Sequence, residues 1–264
     1  MPPPRRNNLA IKALGRNGLK KNFAFTLAEV LITLGIIGVI SALTLPSLIL
    51  NYKNQVVEAK LKKIYSIMNQ AIVLSEGTNG NLEDWDFENP EFLNTYIVPY
   101  INKTDIKDFG SNSEYSNIYL ADGSLLVTKN VNHDMGASFD YFFYPDAKNF
   151  IPNEFNRRKY GGSKFFVFRL VYPKSKCNPF NKKGFEPYFC GLNNTNDPYK
   201  DGLYACNKEN SYKYSCTYVI QRNGWKIPKD YPIAVKWILA ICFFFVIIRT
   251  VRKVTYEYFT IGFN

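Results

Sequence analysis

One carboxylate, Glu29, stands at the start of an apolar stretch that lasts to Leu50. An unpaired carboxylate in hydrocarbon costs about 3 kcal/mol or more, so a charge kept there calls for a partner. The second group able to do chemistry is a set of four cysteines, Cys177, Cys190, Cys206 and Cys216, among Asn, Lys, Tyr and Gly. On the far side of a membrane segment they read as disulfides in an oxidising compartment. Pairing of nearest neighbours, Cys177 with Cys190 and Cys206 with Cys216, is the simplest of three connectivities. Each bridge would close a loop of about a dozen residues, worth about 3 kcal/mol in the chain-entropy model. A zinc site is the rival reading. It lacks a C-x-x-C spacing, and the single histidine, His133, is far away in sequence. Asn193, Asn194, Asn196, Asp197, Asp201 and Gly202 form an oxygen-rich loop, with Asp197 and Asp201 as its calcium candidates. The EF-hand spacing is absent, and such loops are also ordinary turns.

No catalytic set emerges. His133 has no accompanying G-x-S-x-G nucleophile, and neither G-x-x-x-x-G-K-[ST] nor G-x-G-x-x-G occurs. The chain reads as a non-enzyme that needs no cofactor.

The elements that would position these groups follow from charge and periodicity. Of the net charge of +11, residues 1–24 hold +6 and residues 233–264 hold +3, leaving +2 for residues 25–232. Charge beside apolar runs is the pattern of membrane topology, not of phosphate binding. Nucleic acid is not indicated beyond scattered cations such as Arg157-Arg158-Lys159. Residues 1–24 are a basic leader containing Pro2-Pro3-Pro4. No A-x-A site follows the apolar run, which weakens the reading as a conventional signal peptide.

Residues 25–50 predict a transmembrane helix about 39 Å long, with the leader in and the C-terminus out. Gly35, Gly38, Ser41 and Ala42 give it small surfaces for helix packing. Pro46 should kink or loosen it near the outer end. Residues 51–80 continue as an amphipathic helix. Val57, Leu61, Ile64, Tyr65, Met68 and Ile72 recur at steps of three and four, and Lys53, Glu58, Lys60, Lys62 and Lys63 fill the other face. Glu76 to Gly80 supplies the stop signal.

Residues 81–232 predict an α+β domain, with the helix against one antiparallel sheet and a disulfide-tied C-terminal region. Asn117–Lys129 reads as a hairpin turning at Asp122-Gly123. Lys164–Val171 reads as a strand, and Tyr214–Arg222 as a late strand before an Asn223-Gly224 turn. Residues 233–264 form an apolar tail. It is read as a second span about 24 Å long, as a buried strand and helix, or as a non-native extension.

The opening segment also carries a resemblance. Lys20-Lys21-Asn22-Phe23-Ala24, then Phe25-Thr26-Leu27-Ala28-Glu29 and about twenty apolar residues, resembles the processing site of type IV prepilins and type II secretion pseudopilins. The resemblance implies cleavage by a prepilin peptidase between Ala24 and Phe25, N-methylation of Phe25, and an assembly role for Glu29. The family usually has Gly where this chain has Ala24. The resemblance further implies a subunit of the bacterial cytoplasmic membrane that passes into a pilus or pseudopilus. Its partners would be other pilin or pseudopilin subunits, the peptidase, an assembly ATPase and an inner-membrane platform. It also implies local melting of the helix at its proline on assembly, and some pseudopilins hold calcium in their C-terminal region. The alternative is a membrane-anchored binding module or adhesin that does not polymerise.

Overall fold

The structure is a computed structural model that describes residues 27–109, 115–129, 140–152, 158–173, 175, 177–192 and 196–233. The chain divides into two compact units, Met1–Thr44 and Leu45–Asn264. The described part of the first unit is entirely helical.

Helix α1 spans Leu27–Asn79. It carries Pro46 inside it, in a helix that runs on both sides of the proline. It ends where the stop signal predicts. Gly80 takes a φ of +80°, and its amide donates to the carbonyl of Glu76 at 3.1 Å. Glycine reaches this left-handed conformation without a Cβ penalty, and the bond satisfies a carbonyl of the last turn.

Within the second unit, α1 lays its apolar stripe into the main core. Val57, Leu61, Ile64, Met68, Ala71 and Ile72 are buried there with Ile118, Leu126, Phe143, Phe166, Phe168 and Phe185 from the sheet. Burying one such side chain contributes roughly 1.5–3 kcal/mol, so the stripe fixes the helix face. A 3-10 turn at Leu82–Asp84, the short helix α2 (Phe92–Tyr96) and a 3-10 turn at Val98–Tyr100 lead into the sheet. Their aromatic residues close one end of the core, with Trp85 stacked on Tyr96 at 4.7 Å.

The sheet has six strands in the order β1-β2-β3-β4-β5-β6, and every neighbouring pair is antiparallel. The strands are β1 (Lys103–Phe109), β2 (Tyr115–Leu120), β3 (Leu125–Lys129), β4 (Asp140–Tyr144), β5 (Phe166–Val171) and β6 (Gly184–Pro187). Such a meander needs only local connections. The β2–β3 turn falls at Asp122-Gly123, where Gly123 has a φ of +77° and donates to the carbonyl of Leu120 at 3.1 Å.

The central strands are buried on both faces. One face meets α1. The other packs Leu125, Val127, Phe142, Tyr144, Phe165 and Val167 against Tyr188 and Tyr214. That second layer explains why β5 is buried along its whole length. It also buries an ion pair: Asp140 and Arg169 sit directly opposite one another on β4 and β5, with Nε to Oδ1 at 2.6 Å.

The segment Tyr214–Arg222 is not the strand predicted from its sequence. Cys216–Arg222 is a helix, α3. Cys216, Thr217, Val219 and Ile220 are its buried residues, the steps of one, three and four that a helix face makes. The Thr217 hydroxyl accepts the Val167 amide at 2.9 Å, which anchors α3 to β5. Two disulfides tie this region: Cys177 to Cys190, and Cys206 to Cys216 at the first residue of α3.

Candidate membrane helix and its anchorage

The residues of α1 from Glu29 onward make up one helix long and apolar enough to cross a membrane. From Val30 to Leu50 every Val, Leu and Ile side chain is exposed, from 39% at Ile49 to 73% at Leu43. Glu29 is also exposed, at the start of this apolar surface. Water penalises this much apolar surface, while hydrocarbon or a neighbouring helix does not. The helix also satisfies its own polar groups. The Thr33 hydroxyl donates to the Val30 carbonyl and the Thr44 hydroxyl to the Ile40 carbonyl, both at 2.9 Å. In a bilayer, polar groups must find their partners within the protein, and these two do. A Cβ added at Gly35 or Gly38 would meet nothing within 4 Å. The space beside both glycines is open to a close-packed helix.

Ala24 and Phe25, the residues of the expected cleavage and methylation, lie outside the described residues. So do His133, Cys242, Asn193, Asn194 and the tail from residue 234 onward.

In the second unit, polar contacts from Glu58, Lys60 and Asn69 help to fasten α1 to the domain. Glu58 falls on the face that periodicity assigns to solvent, yet it is 8% exposed. Its carboxylate accepts the backbone amide of Ile227 at 2.8 Å and the Lys226 ammonium at 2.9 Å. The apolar part of the same segment packs with it, as Trp225 lies 5.0 Å from Tyr65. Lys60 donates to the carbonyls of Asp122 and Pro145 at 2.9 and 2.7 Å. Asn69 donates to the carbonyl of Phe185 at 2.9 Å and accepts its amide at 3.0 Å, so one side chain takes the place of a neighbouring strand along β6. The periodicity of residues 51–80 gives no signal for Glu58 or Lys60. Both look like ordinary charges on a helix surface, and their partners are far away in sequence.

Asp122 occupies the β2–β3 turn as a charge centre. Burial pushes its carboxyl up. The Ser124 hydroxyl and amide and the ammonium groups of Lys63 and Lys60 outweigh burial and hold it at about 2. Glu186, on β6, goes the other way. Burial raises it above the usual carboxylate range, opposed by hydrogen bonds from Tyr65 and Gln221.

In the oxygen-rich loop, the calcium candidates Asp197 and Asp201 take part in hydrogen bonds to backbone amides. Asp201 accepts the Asp197 amide at 2.7 Å, and Asp197 accepts the Tyr199 amide at 2.9 Å. The second is the bond of an Asx-type turn. Among the described residues, no cluster of three His, Cys, Asp or Glu side chains could hold a metal ion.

No curated protein and no solved structure matches the chain. One family model does match, over residues 47–235, which takes in the α1 anchorage, the sheet and both disulfides. By that match the chain belongs to a family of unknown function, DUF6613.

Proposed function

We propose that this chain is a non-enzymatic structural subunit of a type IV pilus or type II secretion pseudopilus. A prepilin peptidase removes residues 1–24, Phe25 becomes the methylated N-terminus, and the subunit polymerises through its N-terminal helix. The observation that carries this reading is the division of α1. Its first part offers a long, largely apolar surface headed by Glu29. Its second part is buried against an antiparallel sheet. A filament subunit needs that division, because one stretch of helix must pack on other subunits while the next holds its own domain. The leader supports the reading independently, with six cations before Ala24 and no acid. Force for assembly would come from the ATPase and the membrane platform. This chain would supply the packing surface.

Mass spectrometry of the mature N-terminus tests the proposal. Protein extracted from membranes should begin at a methylated Phe25. In a strain lacking the prepilin peptidase the leader should remain. An intact leader in the presence of the peptidase overturns the proposal and leaves the helix as a tether for an anchored binding module.

A further inference from the structure

A cleft of about 290 Å³ opens between the Cys177–Cys190 loop, β6 and α3, at the small end of the range for ligand sites. One wall is aromatic. Phe180 and Tyr218 lie nearly parallel with ring centres 5.7 Å apart, and Phe189 stands edge-on to both at 5.2 and 6.2 Å. Phe180 and Tyr218 are only half-buried, and both line the cleft. The Glu186 carboxylate, 7% exposed, also lines the cleft. One of its oxygens accepts the Tyr65 hydroxyl at 3.0 Å, and the other accepts the Gln221 amide at a long 3.4 Å. A carboxylate has about four acceptor positions. These two donors therefore leave capacity for an incoming hydroxyl.

The remaining lining is cationic. Lys182 and Arg222 are exposed, and neither forms an ion pair among the described residues. The Arg222 guanidinium lies 5.7 Å from the centre of the Tyr218 ring. The loop that carries Phe180 and Lys182 is held in place before any ligand arrives. The Asn178 side chain donates to the carbonyls of Tyr172 and Lys182, both at 2.7 Å, and accepts the Lys182 amide at 2.9 Å. The disulfide closes the same loop. Such preorganisation lowers the ordering cost of binding.

We propose that this cleft binds a pyranose sugar bearing a carboxylate. The aromatic wall suits the apolar C–H face of the ring. Glu186 accepts a ring hydroxyl, and Gln221 can donate and accept. Arg222 and Lys182 meet the carboxylate, for which the guanidinium fork is matched in shape. The order of charge favours this class over other ligands. A cationic sugar is repelled by Lys182 and Arg222, a neutral sugar leaves both cations unused, and a bare anion gains nothing from the wall. The proposal is independent of filament assembly.

The test is calorimetric titration of the full chain in detergent micelles with four probes: glucuronic acid, N-acetylneuraminic acid, glucose and inorganic phosphate. At least one acidic sugar should saturate in the millimolar range or below, with affinity about tenfold or more above that of glucose, a difference of about 1.4 kcal/mol. The acidic sugar that binds identifies the source as a uronate or a sialate. Arg222→Ala should erase the preference. Because Arg222 is exposed, an unchanged near-ultraviolet circular dichroism spectrum is expected. Glu186→Gln should weaken binding of every sugar. Equal affinity for glucose and the acidic sugars, phosphate binding as tight as theirs, or full affinity in Arg222→Ala each overturns the proposal.

Discussion

The Glu58 carboxylate and the backbone amide of Ile227 meet at 2.8 Å across a separation of 169 residues. This bond joins the middle of α1 to the last described turns of the domain. Lys226 adds a second contact to the same carboxylate, but its side chain is 68% exposed, so solvent screens much of that attraction. The amide bond is the larger part, because the partner is a charged acceptor that is largely out of water. Glu58→Ala should therefore cost about 2–3 kcal/mol, mostly from the orphaned amide. Lys226→Ala should cost less than about 1 kcal/mol. Urea unfolding of both variants measures the two effects, and equal losses would contradict this apportionment.

Gly184 and Asn69 define a second contact of α1, this time with β6. Gly184 has a φ of +111°, and a Cβ built there would collide with the Asn69 carboxamide oxygen. That oxygen is already committed to the amide of Phe185. Gly184→Ala should thus impose both backbone strain and a lost hydrogen bond, for a total of about 3 kcal/mol or more. Asn69→Ala should cost about 2 kcal/mol and partly relieve Gly184→Ala in the double variant, since the colliding group is gone. Strict additivity in a thermal or urea cycle would exclude a direct contact as the cause.

How far these elements were legible depends on whether their cause is local. The stripe from Val57 to Ile72 could be read because burial repeats along the helix itself. The Asp122-Gly123 turn could be read because a glycine at positive φ is a local requirement. The four residues of β6, Gly184-Phe185-Glu186-Pro187, are too short and too rich in breakers to signal a strand. Asn69 on one side and β5 on the other make them one. α3 reads as a strand in the sequence because Thr217, Val219 and Ile220 favour strands intrinsically. The Cys206–Cys216 bridge and the Thr217 bond to Val167 belong to tertiary structure, which overrides that preference. Glu58 was invisible as an anchor for the same reason.

Asp122 makes the hairpin turn sensitive to acid. Its folded value of about 2 lies below its ordinary 3.8. The depressed carboxyl contributes stability that is fully present above about pH 4 and is lost as pH falls through about 2. Because the group is partly exposed, screening reduces the contribution to about 1 kcal/mol. Glu186 acts with the opposite sign: its raised value means that protonation relieves a cost as pH falls. Asp122→Asn should therefore lower stability at neutral pH and flatten its decline between about pH 4 and 2. Parallel acid-dependent slopes for the variant and the parent chain would remove Asp122 as the source.

The last prediction concerns Glu29 and follows from the proposed processing. Cleavage after Ala24 would give Phe25 an α-amino group, cationic at neutral pH, with an ordinary value of about 7.7–8.0. Four residues correspond to about 6 Å of helix rise, roughly one turn. A helix continued to Phe25 would put Glu29 within reach of that cation on its own subunit or on a neighbour. In a filament interior of low dielectric, a carboxylate left without a charge partner is strongly unfavourable, while a paired one is tolerated. Glu29→Gln keeps the shape and removes the charge. The variant should still be made, cleaved and retained in the membrane, because α1 from Val30 to Leu50 is unchanged. Its incorporation into filaments should fall about tenfold or more, as a loss of about 1.4 kcal/mol per contact already suffices for that ratio. Immunoblots of sheared filaments against membrane fractions measure this directly. Filaments of normal amount and normal axial register from Glu29→Gln would mean that the carboxylate serves only the single subunit in its membrane.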